Sequence, residues 1–112
     1  EVCDSRIGEL LAHAPEDPDG SWPCIAVRDV IEEVDSEDLV HGFEMGIFNK
    51  RGIHWKSPFE GGDQERALAE QFRSDADSCD VEWSRTAAAL RRVAQCYEED
   101  ARREDEEAQE RQ

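Results

Sequence analysis

Lysine is nearly missing from this chain, with two in 112 residues against eleven arginines and twenty-nine acids, and the net charge is −16. No stretch approaches the roughly 20 apolar residues of a membrane helix, and no charged-apolar-small signal opens the sequence. The glycine patterns of phosphate-binding loops and dinucleotide folds are absent. Cysteine occurs at Cys3, Cys24, Cys79 and Cys96, never as C-x-x-C. These absences argue against direct nucleic-acid binding, which needs basic residues to neutralise phosphates. They argue equally against attachment to an anionic membrane.

What is present is enough apolar residue for one core, 38 %, inside an unusually charged surface, also 38 %. The acidity is not a tail effect. Residues 98–112 hold eight acids and three arginines, leaving twenty-one acids and ten bases in the body. Four cysteines without a stapling pattern read as reduced thiols, and the compartment as cytoplasmic. The chain begins at Glu1 without methionine, so residues ahead of it are expected to have been lost, and a signal removed before Glu1 stays open.

The apolar spacing is helical throughout. Val2, Ile7, Leu10, Leu11 and Ala14 predict a helix over 2–13, followed by a loop holding three of the four prolines and Trp22. Val27, Val30, Ile31 and Val34 stand at i, i+3, i+4 and i+7, opposite Asp29, Glu32 and Glu33. Ser36 is placed to cap a third helix with Glu37 and Asp38 in its first turn and an apolar side of Leu39, Val40, Phe43 and Ile47. Gly42 and Gly46 would admit a closely approaching neighbour, and Gly52 would stop the helix. Asp63 is expected to cap a helix with a short face of Ala67, Leu68, Gln71 and Phe72, ended by the polar run 74–80. Ser84 is expected to cap the strongest helix, through Ala87, Leu90, Val93, Ala94, Tyr97 and Ala101.

The fold class expected is therefore all-α, a four- to five-helix bundle ending in a helical hairpin. The domain is read as 1–97, with 98–112 a solvated helical extension of about 22 Å. Its expected support is the i,i+4 pairs Glu98–Arg102, Glu99–Arg103 and Glu107–Arg111.

Few residues carry chemistry. The segment 49–66 contains the only local basic cluster, Lys50, Arg51 and Lys56, interleaved with His54, Trp55 and Phe59. Gly61-Gly62 before a helix could hold an anion, but Glu60, Asp63 and Glu65 occupy that place. A packed connection is the favoured reading, a protein-binding loop the second. His13, His41, His54 and the cysteines lie too scattered for a recognised metal spacing, and no metal or cofactor is expected. Asp29, Glu32 and Glu33 could chelate a cation or move a proton, but a solvated helix face explains them more simply. A helical hairpin would set Cys96 about 18 Å along its helix from Ser84, too far for a disulfide with Cys79. Trp55 and Trp83 are read as core residues, and Trp22 is left between core and interface.

From Asn49 onward the chain resembles a group of small helical proteins of high-GC actinobacteria. The resemblance rests on Asn49, Arg51-Gly52, Ser57-Pro58, Glu60-Gly61-Gly62, Gln64-Glu65-Arg66 and Leu68-Ala69. It continues through Arg85-Thr86-Ala87-Ala88, Leu90-Arg91, Tyr97-Glu98, Ala101-Arg102 and Glu104-Asp105, with Ser84 where that group has proline. It implies a helical fold and a bacterial cytoplasm, and brings no activity or site residues.

The leading functional expectation is a non-catalytic protein-interaction or regulatory module whose partner is another protein with a basic surface. Homo-oligomers stay open. Its candidate contact residues are Lys50, Arg51, His54, Trp55, Lys56 and Phe59, with the acidic strip Asp29, Glu32, Glu33, Asp35, Glu37, Asp38 and Glu44. The alternative is an acidic inhibitor (immunity protein, antitoxin or DNA mimic) of a basic nuclease or DNA-binding protein. A metal-dependent hydrolase stands third.

Overall fold

A computed structural model describes residues 2–34, 36–51, 62–79 and 82–111. It holds five helices and, among the described residues, no strand: α1 Val2–Leu11, α2 Ile25–Val34, α3 Glu37–Arg51, α4 Asp63–Cys79 and α5 Ser84–Arg111. The all-α bundle ending in a hairpin is what forms. None of these helices is long and apolar enough to cross a membrane.

α1 and α3 run in the same sense and nearly touch backbone to backbone. A Cβ on Gly8 would overlap the Leu39 carbonyl oxygen, and one on Gly42 would overlap that of Ser5. One on Gly46 would stand 2.8 Å from the Ala12 side chain and 2.9 Å from the Glu9 Cα. Gly42 and Gly46 thus do admit a close neighbour, and that neighbour is the first helix. The glycines weaken each helix alone, so the pair depends on mutual packing rather than propensity.

The α4–α5 hairpin is antiparallel and laced by arginine–carboxylate pairs. Arg91 meets Asp77 at 3.2 Å, Arg73 meets Glu98, and Arg66 meets Asp105 at 2.6 Å. The inward face of α5 is Ala87, Leu90, Val93, Ala94, Tyr97 and Ala101, all buried. An aromatic chain joins this hairpin to the first three helices. Trp22 stacks on Phe43 at 5.7 Å and meets Phe72 edge-on at 6.1 Å, while Tyr97 stacks on Phe72 at 5.9 Å. The indole of Trp22 donates to Ala14 O at 3.2 Å, and the ring is half-buried against the core.

Several helix boundaries differ from expectation. Ser36 does cap α3, accepting from Leu39 N at 3.1 Å. Asp63 and Ser84 do not cap theirs. The Gly62 carbonyl accepts from Arg66 N, the Trp83 carbonyl from Ala87 N, and Asp63 pairs with Arg66 one turn on. The polar run 74–79 stays helical because Ala76 and Cys79 are buried against the hairpin core. Along the same helix Ala67 and Gln71 are exposed, and Glu65, Ala69 and Ala76 are buried instead.

The solvated extension is also shorter than expected. Ala101 is buried where Gly62 lies on its backbone, and Asp105 Oδ1 accepts from Gly62 N at 2.8 Å. Packing therefore continues past Tyr97 to Ala108. Glu98 is taken by Arg73 across the hairpin, and Arg103 pairs with Asp100 at 2.7 Å.

Candidate functional site

Carboxylates in this protein serve first as caps for distant helices. Asp17 Oδ2 accepts from Ile25 N at 3.0 Å, at the start of α2. Asp105 does the same for α4. Glu32, on α2, accepts from Arg85 N at 3.2 Å, Thr86 N at 2.8 Å and the Thr86 hydroxyl at 3.1 Å, at the start of α5. Each places negative charge where unpaired amides and the helix dipole favour it. The face of α2 is thus not simply solvated: Asp29 accepts from the Trp83 indole at 3.1 Å, and Glu32 is bound into the fold.

Behind these caps lies a buried guanidinium. Arg28 is 5 % exposed, donates from Nε to Pro23 O at 2.6 Å, reaches Asp17 Oδ2 at 3.4 Å and lies 4.7 Å from the centre of the Trp83 ring. Stacking and a planar set of donors suit arginine, and not lysine, to such a place.

On the neighbouring side, a cavity of about 370 Å³ opens between the 15–24 loop, α3, α4 and α5. Its wall includes Trp22, Phe72 and Tyr97, with Glu16, Lys50 and Asp75 as its charged members. Burial pushes the Asp75 carboxyl up to about 6, against an opposing pull from Arg28. Asp75 Oδ2 is buried without a hydrogen-bond partner. Lys50 Nζ donates to Ala12 O at 3.3 Å and stands 5.3 Å from the centre of the Trp22 ring. A carboxyl with a raised pKa at a cavity marks a candidate functional site.

Few of the candidate contact residues gather at this cavity. Lys50 lines it. Arg51 ends α3, and His54, Trp55, Lys56 and Phe59 lie outside the described residues, as do Gly52 and Asp35. Within the acidic strip, Asp29 and Glu32 are engaged as above, and Glu44 pairs with Arg92 at 3.0 Å. Glu33, Glu37 and Asp38 are exposed. Asp75 was missed because its neighbours in sequence are polar. Only its helical spacing from Phe72 and Cys79, at i−3 and i+4, hints at an inward side.

His13 and His41 are exposed, and no group of three potential ligands that could hold a metal ion occurs among the described residues. Cys24, Cys79 and Cys96 are free thiols. Burial raises the Cys79 and Cys96 thiols, with Glu99, Asp100 and Glu44 adding to the effect at Cys96, so neither is activated as a thiolate. Comparison with known proteins finds no matching family model, no similar curated protein and no similar solved structure.

Proposed function

We propose that this chain is a non-catalytic interaction module of a bacterial cytoplasm, binding a basic protein partner through the surface of α1–α3. One observation carries the reading. The exposed large apolar side chains of the described residues, Ile7, Leu10, Ile25, Val34 and Met45, all belong to these three helices, while the hairpin shows none. Ile7 and Leu10 share the side of α1 turned away from Gly8, Glu9 and Ala12, which meet α3. Exposed acids stand on the same helices at Glu33, Glu37 and Asp38. Apolar anchors accompanied by charge of one sign suit a protein partner of the opposite sign. The free thiols fit a reducing compartment.

An inhibitor of a basic nuclease or DNA-binding protein is the narrower form of this reading, favoured by the net charge of −16. The test is a pull-down at low and moderate salt with the wild-type chain and with Leu10→Glu, whose side chain is 71 % exposed and so tolerates the change. A partner held by the first and released by the second supports this surface as the binding face. Equal capture by both, or no partner at either salt, overturns it. A nuclease assay on the captured partner then decides the narrower form.

A further inference from the structure

We propose that the cavity beside Asp75 binds a small primary ammonium ion carrying a flat apolar body, independently of the α1–α3 surface. Asp75 and Glu16 take its charge, and Trp22, Phe72 and Tyr97 take its body.

The volume, about 370 Å³, is at the small end of the usual range for ligand sites. Its aromatic side chains already contact one another, which holds them ready for a planar group. The charge of the ligand is decided by three comparisons. An anion would set its charge against two carboxylates with one ammonium to offset them. A neutral apolar molecule would fill the space yet displace water from the Asp75 and Glu16 carboxylates without offering a counter-charge. A cation balances the charge that Asp75 and Glu16 carry in excess of Lys50 on the cavity wall. Lys50 shows that the Trp22 side of the cavity accepts an ammonium, since its own lies 5.3 Å from that ring centre. It is a competitor for the ligand as much as a neighbour.

Titration of the full chain with 2-phenylethylammonium and with neutral 2-phenylethanol at pH 8 tests this, read by calorimetry and by the indole NMR signal of Trp22. The ammonium is expected to bind about tenfold tighter than the alcohol, the size of a charge-assisted hydrogen bond. Asp75→Asn should erase the difference while leaving alcohol binding unchanged. Lys50→Met, which removes the competing charge, should tighten ammonium binding. Equal affinity for the two probes, an unchanged preference in Asp75→Asn, or signals that move without Trp22 would each overturn the proposal. Leu10→Glu should not alter either affinity, which separates this site from the protein-binding surface.

Discussion

Glu32 on α2 holds the first turn of α5 from 54 residues away, through the backbone amide and hydroxyl of Thr86. Thr86 is fully buried, so water cannot replace the carboxylate if it is removed. Glu32→Ala leaves both Thr86 donors and the Arg85 amide without the carboxylate and is expected to cost about 2 kcal/mol in urea unfolding. Glu33→Ala, on the exposed neighbour, should stay within about 0.5 kcal/mol of wild type. Equal effects for the two would show that the cap contributes nothing.

Gly8 and Gly42 test the α1–α3 seam. Alanine is the better helix former by about 1 kcal/mol, so an exposed glycine would gain from the change. Here each added methyl meets backbone of the partner helix, which cannot move aside as a side chain tip would. Gly8→Ala and Gly42→Ala are each expected to lose about 1–3 kcal/mol overall. Thermal melts give the sign directly, and a stabilised variant would mean that the helices do not pack at this distance.

Legibility in the sequence followed the range of the interaction. The Ser36 cap and the alanine-rich face of α5 are set by neighbours three or four positions away, and each appears where the spacing put it. Of the stripe Val27, Val30, Ile31 and Val34, only Val27 and Ile31 are buried, while Val34 is exposed and Arg28 is buried instead. Asp63 and Ser84 misled because both are good local caps, and the carboxylates doing that work sit on other helices. Asp29 and Glu32 looked like a solvated face for the same reason. An acid that caps a helix 54 residues on is indistinguishable in sequence from one that faces water. The cavity was invisible on the same ground, since Trp22, Lys50, Asp75 and Tyr97 come from four separate segments.

Asp75 predicts a pH dependence. Its carboxyl is raised from 3.8 to about 6 by burial, so the folded state binds the proton more tightly than the unfolded one. Stability from this group is therefore fully present below about pH 4 and is lost as pH rises toward 6. Asp75→Asn removes the charged form and should raise Tm at pH 8 by on the order of 4 °C, allowing for partial solvent screening. Near pH 4 the variant and wild type should melt together. A variant less stable than wild type at pH 8 would mean that Arg28, not burial, dominates at this carboxylate.

The end of α5 separates packing from solvation within one helix. Asp105 caps α4 at the buried Gly62, whereas Glu110, five residues on, is exposed and takes no part in the hairpin. Asp105→Ala is expected to cost about 1 kcal/mol, the usual loss of a helix cap. It should also raise hydrogen exchange at the amides of Gly62 and the first turn of α4. Because the contact sets charge against a helix N-terminus, part of the loss should fade in high salt. Glu110→Ala should change neither exchange nor stability. Identical behaviour of the two variants would return the whole of 98–112 to solvent, and α4 would then need another partner for its first amide.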